Sequence, residues 1–349
     1  MGRFLNIEKS RQATFKATSP YFSGSARAAG LYGHKAYPFC LSLEHAEENL
    51  FVGIRQRAQA HFSSHNIQWH HGQSGKPGNH LCSSQVCCLN FLFPFADQPR
   101  ALADVLRPRF PSIREMLTLE DDQFVACEWI GQDNYLGERI RPGSRRTRGA
   151  NFTSADAAVM FKQANGERQI VLIEWKYAES YSGKCLRVSE NGTDRAAIYK
   201  GLLAAADCPI DKGLLPRLLP SCEPDFGSLF YEPFYQFMRQ QFLAHEMERV
   251  HELGADRVSV LHIAPACNLG FRRVTSPRLQ ALGGTATGVW KRLVRPPDRF
   301  VSISTEQLFG RLSLDGFPEM QPWLDYIFAR YPWVRGEGMA ASEVASKAA

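Results

Sequence analysis

From Leu43 onward, apolar residues recur at helical spacing. Leu50, Phe51, Ile54 and Ala58 form one stripe, Ser42 stands where a cap is needed, and Glu44, Glu47 and Glu48 occupy the first turns. The pattern predicts a helix to about His61, then a Gly-, His-, Ser- and Pro-rich loop from His65 to His80. An apolar segment follows from Leu81 to Phe95, with Ser83 and Ser84 placed to cap a helix at its start. A short helix is predicted from Arg100 to Leu106.

The period then changes. Phe124 to Ile130 reads as a strand, and Ala157–Phe161 and Gln169–Tyr177 read as two more, joined by a turn at Asn165-Gly166. Ile170 to Ile173 is apolar at both parities, as in a strand covered on both faces. Asp194 can cap a helix through Ala206, Pro216, Pro220 and Pro224 bracket a loop, and a longer helix runs from Phe234 to about Leu253. Arg257–Ile263 is a further strand. Helices near Thr305–Phe309 and Gln321–Tyr331 close the pattern, with a frayed stretch after Gly338. The fold class expected is mixed α/β (α+β). No repeat or composition break divides the chain, so one elaborated domain is expected over residues 1–349. Its core is expected at 80–265, with a helical extension at 1–79 and a second extension at 266–349.

The 349 residues are 44% apolar and 22% charged, enough for a core and too apolar for wholesale disorder. A net charge of +6 is compatible with a nucleic-acid partner without requiring one. No run of about 18 apolar residues appears, so no membrane span is expected. Nine irregularly spaced cysteines fit reduced thiols and a cytoplasmic location better than a disulfide framework. There is no phosphate-binding Gly-x-x-x-x-Gly-Lys element, no dinucleotide fingerprint and no Gly-x-Ser-x-Gly elbow. His61 and His65 are four apart, His70 and His71 adjacent, and His80 precedes Cys82 by two. None matches a strong zinc spacing, so zinc is not assigned.

The sharpest chemical feature is Asp156, followed eighteen positions later by Glu174-Trp175-Lys176. Side chains alternate on a strand, so Glu174 and Lys176 share one face and Trp175 enters the other. A hairpin can return Glu174 beside Asp156. Two adjacent carboxylates need a counter-charge. Lys176 supplies one, and Mg²⁺, for which Mn²⁺ can substitute, suits an oxygen shell completed by water and phosphate. Such an ion activates water against a phosphodiester, while Lys176 orients that water or steadies developing negative charge. A Glu-x-Lys pair on a strand is also a common surface arrangement. The apolar run before it and the partner Asp156 are what favour the chemical reading.

This hairpin resembles the signature of the PD-(D/E)xK nuclease superfamily, with its restriction-endonuclease-like fold. Further stretches resemble a bacterial branch of it: Leu81-Cys-Ser83-Ser84-Gln85 into Asn90-Phe91-Leu92-Phe93-Pro94, Glu128-Trp129, Leu136-Gly137-Glu138, and Thr153-Ser154-Ala155-Asp156-Ala157. Arg195 with Tyr199, and Arg239-Gln-Gln241, extend the likeness more loosely. The resemblance implies a mixed sheet flanked by helices and Mg²⁺-dependent cleavage of DNA. Asp156 and Glu174 would be metal ligands and Lys176 the catalytic lysine. Ala155 stands where that family has proline.

A third acid is commonly present in such relatives. Glu44, Glu47 and Glu48 are candidates by location, and Glu138 is preferred because it lies inside a matching block. Gln85 is expected to bond the lysine, a water or phosphate. Arg139, Arg141, Arg145, Arg146 and Arg148, with Arg195 and Tyr199, are expected to contact nucleic acid. The function expected is therefore a Mg²⁺-dependent nuclease acting on DNA, with RNA also open as substrate. The alternative is a non-catalytic nucleic-acid-binding or complex-forming protein that keeps the fold. The pattern specifies no oligomeric state.

Overall fold

The protein is described from a computed structural model covering residues 2–138, 145–150, 152–217, 219 and 221–336. Pro220 and the stretch after Gly338 lie outside the described residues. The first helix, α1 (Arg3–Thr18), has no counterpart in the sequence reading. Its buried face carries Phe4, Glu8, Gln12, Phe15 and Lys16, so three of these five residues are polar. Those polar groups are satisfied at a distance: Glu8 accepts from Tyr177 at 2.6 Å and from the Trp333 indole at 3.1 Å.

A small hairpin, β1 (Gly30–Tyr32) with β2 (Lys35–Tyr37), follows. The helix expected from Leu43 to His61 is broken. Two 3-10 segments, Leu43–Asn49 and Val52–Ile54, precede α2 (Arg55–Ser64). Tertiary bonds use the groups a continuous helix would need. The Phe51 N–H donates to Asn90 Oδ1 at 2.7 Å, and the Asn49 carbonyl accepts from Asn90 at 3.1 Å and from Arg330.

Helix α3 (Ser84–Leu92) begins where expected, the Ser83 hydroxyl accepting from the Val86 N–H at 3.4 Å. Next come α4 (Pro99–Leu106), β3 (Ile113–Leu117), β4 (Ala126–Trp129), β5 (Ala155–Gln163) and β6 (Arg168–Trp175). The chain continues through α5 (Ala196–Ala204), α6 (Phe234–Arg249), β7 (Arg257–Ala264), α7 (Ala286–Leu293), β8 (Phe300–Ser304), α8 (Thr305–Phe309) and α9 (Gln321–Arg330). Strands β3 and β8 and helix α7 were not legible in the hydrophobic pattern.

The main sheet is mixed, with six strands in the order β3-β5-β6-β7-β8 and β4 pairing β5 beside β3. Strands β5 and β6 are antiparallel, whereas β6, β7 and β8 are mutually parallel and joined by helical crossovers. Val171, Ile173 and Trp175 face one core with α3, α4, α8 and α9. Ile170 and Leu172 face the other with α5, α6 and α7. This double coverage explains why β6 is apolar at both parities. Arg330 of α9 is fully buried and donates to Gln12 of α1, to Asn49 and to the Leu81 carbonyl, binding the two ends of the chain into the first core. Among the described residues no helix is long and apolar enough to cross a membrane.

Candidate active site

Three adjacent strands bring three carboxylates into a row. Ala157 of β5 faces Cys127 of β4 on one side and Ile173 of β6 on the other. One residue outward on each strand lie Glu128, Asp156 and Glu174. Glu174 in turn faces His262 of β7, and His262 faces Ser302 of β8. Glu174 lies on the α6 side of the sheet, where Gln240 reaches it, whereas Glu128 is bonded by Gln85 of α3. Trp175 points the opposite way from Glu174 and packs against Phe91 and Phe309.

Each carboxylate is held differently. Asp156 Oδ2 accepts the main-chain N–H of Trp175 at 2.7 Å. Glu174 is buried, paired with the Lys176 ammonium through Oε1, and accepts from the Gln240 amide of α6 through Oε2. Glu128 accepts from Gln85 at 2.7 Å and from Ser154 at 3.0 Å, with His70 Nε2 3.6 Å away.

The backbone at Glu128 is left-handed, at φ 48°, and the β4–β5 ladder skips it between Cys127 and Trp129. A non-glycine residue there costs about 1–3 kcal/mol and persists only when its surroundings impose it. Arg148 does so. It donates to the carbonyls of Cys127 at 2.9 Å and Glu128 at 3.2 Å, and is itself gripped by both oxygens of Glu120, at 2.7 and 2.9 Å.

The electrostatics follow from this crowding. Burial first, then the charge of Glu174 and more weakly that of Glu128, pushes the Asp156 carboxyl well above its ordinary value, against Lys176 and the Trp175 N–H. Burial also raises Glu128, against His70, Gln85 and Ser154. Burial disfavours the Lys176 charge, yet Glu174, then Tyr181, Asp156 and Glu179, outweigh it and hold the amine protonated. Three acids beside one ammonium leave a site short of positive charge, and its oxygen donors suit a hard divalent cation. Their ligand atoms do not form a trio all within 4.8 Å of one another; among the described residues that spacing is found elsewhere, at His61, His65 and Glu120. An ion here would draw on Asp156 and Glu174 together with water and phosphate oxygens.

The other expected residues divide. Gln85 reaches the cluster, but its partner is Glu128 rather than Lys176, and its carbonyl accepts from the His70 N–H at 2.8 Å. Glu138 is not placed as a third ligand. Its carboxylate is filled by the Thr153 N–H at 2.7 Å, the Thr153 hydroxyl at 2.6 Å, the Tyr199 hydroxyl at 2.9 Å and Arg239 at 3.3 Å. Tyr199 is correspondingly buried and cannot meet nucleic acid.

Arg146 is turned inward onto the carbonyls of Ile130, Gly131 and Gln132, and Arg148 is the clamp described above, so neither guanidinium is presented as a phosphate contact. Arg195 donates to the Leu186 carbonyl at 2.8 Å and lies over the Tyr235 ring. Arg145 is exposed. Arg139 and Arg141 lie outside the described residues. Of Glu44, Glu47 and Glu48, the last is engaged by Ser23 at 2.6 and 2.7 Å.

Sequence reasoning missed Glu128 and Gln240 as members of the cluster. Both stand inside stretches already singled out, Glu128-Trp129 and Arg239-Gln-Gln241. The missing step was strand register, which alone sets Glu128 across from Asp156.

A family model described as Restriction Endonuclease associating with ARP matches residues 8–332. No curated protein and no solved structure matches the chain.

Proposed function

The chain belongs to the family described as Restriction Endonuclease associating with ARP, and from that membership we propose that it is a metal-dependent nuclease hydrolysing DNA phosphodiester bonds at the Asp156, Glu174 and Lys176 cluster. The observation that carries this reading is the ammonium of Lys176 held beside Glu174, one strand away from an Asp156 whose proton affinity is raised by burial and then by its acidic neighbours. Asp156 and Glu174 would hold Mg²⁺ or Mn²⁺, with Glu128 as the nearby third acid in place of Glu138. When bound, such an ion lowers the pKa of an attacking water and polarises the phosphoryl group.

The residues themselves do the positioning. Gln240 and Lys176 restrain the two oxygens of Glu174. Lys176 presents a permanent positive charge where negative charge develops on the phosphoryl oxygens, in surroundings dry enough to make that charge effective. Gln85 and Ser154 fix Glu128 beside the row. Exposed Arg145 is the proposed phosphate contact, and the family description makes ARP a proposed partner.

The test is purified protein incubated with supercoiled plasmid, linear duplex, single-stranded DNA and RNA, with Mg²⁺, Mn²⁺ or chelator. Cleavage of DNA that needs the metal and disappears in Asp156→Asn supports the reading. Binding with no cleavage under any metal would instead leave a nucleic-acid-binding protein that keeps the fold.

A further inference from the structure

Helix α2 carries His61 and His65 one turn apart, their rings 4.4 Å apart between centroids. The turn after β3 brings Glu120 and Asp121 against them. His61 Nε2 lies 3.3 Å from Glu120 Oε1, and His65 Nε2 lies 3.7 Å from Glu120 Oε2 and 3.0 Å from Asp121 Oδ2. One ligand atom each from His61, His65 and Glu120 falls within 4.8 Å of the others.

Two details separate this group from an ordinary ion-pair network. The His61 side chain is 1% exposed, yet among the described residues neither ring nitrogen has a hydrogen-bond partner, the Glu120 approach being out of line. A buried imidazolium would leave an N–H with no acceptor, which is costly. For His65, Nδ1 lies 3.0 Å from the His61 carbonyl, the backing that metal-binding histidines commonly have. That bond assigns the proton to Nδ1 and turns the Nε2 lone pair toward two carboxylates. Lone pair against carboxylate repels unless a proton or a metal ion stands between them. Glu120 and Asp121 set against Arg148 leave one net negative charge here.

We propose that His61, His65 and Glu120 bind a zinc ion, with water in the fourth position and Asp121 beside His65 as an outer carboxylate. Two imidazoles and a carboxylate suit zinc better than Mg²⁺, which prefers an oxygen shell rich in water. The site is structural. It ties α2 to the turn whose Glu120 grips Arg148, and through Arg148 to the strained backbone of Glu128. The sequence alone could not show this, because the acids arrive 55 positions after His65 by the path of the fold.

The experiment uses the full chain, stripped of metal with chelator, titrated with Zn²⁺ by calorimetry and with Co²⁺ by visible absorption, with metal content measured per chain. Wild type and Asp156→Asn are expected to take up one equivalent, to show the absorption bands of tetrahedral Co²⁺, and to melt at higher temperature with zinc. His65→Ala is expected to lose the bands and weaken binding more than about tenfold. Asp121→Asn, on an exposed side chain that leaves folding intact, is expected to weaken binding too, so the test survives if His65→Ala misfolds. Absence of uptake by wild type, uptake in His65→Ala and Asp121→Asn equal to that of wild type, or loss of uptake in Asp156→Asn would overturn the proposal.

Discussion

The Asp156 carboxylate accepts the main-chain N–H of Trp175 at 2.7 Å, while the Trp175 indole is wedged against Phe91 on the opposite side of the sheet. The hairpin is thereby locked from both faces. A slip of one residue would exchange the indole with the charges of Glu174 and Lys176, putting each in the wrong surroundings. The register that sets the acids side by side is thus enforced by core packing.

Asp156→Asn retains an oxygen for the Trp175 N–H and removes one of three crowded negative charges. Metal-dependent cleavage should vanish, while thermal stability in chelator should equal or exceed that of the parent. A melting temperature well below the parent would contradict the repulsion argued for this row.

Lys176→Met should lower cleavage at least about 100-fold, and also strand a buried Glu174 without its cation, costing about 3–5 kcal/mol. Glu174→Gln combined with Lys176→Met should recover most of that stability and none of the cleavage. Urea unfolding of the single and double variants measures the coupling.

Arginines of one loop should separate by role. Arg145→Ala should weaken DNA binding about equally across sequences and reduce the salt slope by about 1, with stability unchanged. Arg148→Ala should destabilise by about 2 kcal/mol or more, because it releases Glu120 and the strained Glu128 backbone. Binding isotherms at several salt concentrations, beside melts, distinguish the two.

Gly149 has φ +69°, and a Cβ there would stand 2.8 Å from the Gln68 carbonyl oxygen and 3.4 Å from the Glu128 side chain. Gly149→Ala should therefore cost about 1–3 kcal/mol in unfolding free energy and lower cleavage by disturbing Glu128.

His80 is held below its ordinary 6.5, at about 4, by burial first and then by the charges of Lys9 and His71, and its Nδ1 accepts the Cys82 N–H at 3.0 Å. The folded chain therefore binds fewer protons here than the unfolded one. Stability should be intact above about pH 6.5 and fall by up to about 3 kcal/mol as pH drops toward 4. His80→Gln should flatten that part of the curve, as followed by urea unfolding at a series of pH values.

What the sequence determined by itself was whatever rests on neighbours within a few positions. Alternation along β6 placed Glu174 and Lys176 on one face and Trp175 on the other, and Ser83 marked the start of α3, because strand parity and capping are local geometry. Helix α1 escaped notice because Glu8, Gln12 and Lys16 interrupt its apolar stripe, and the partners of Glu8 and Gln12 are Tyr177 in mid-chain and Arg330 and Trp333 far beyond it. Register across β4 and β5 decided that Glu128, not Glu138, would join the acids. Packing decided that Arg146 and Arg148 would turn inward while Arg145 stays in water. Buried charges are settled by the partners that the assembled fold brings to them, and one-dimensional spacing carries no record of who those partners are.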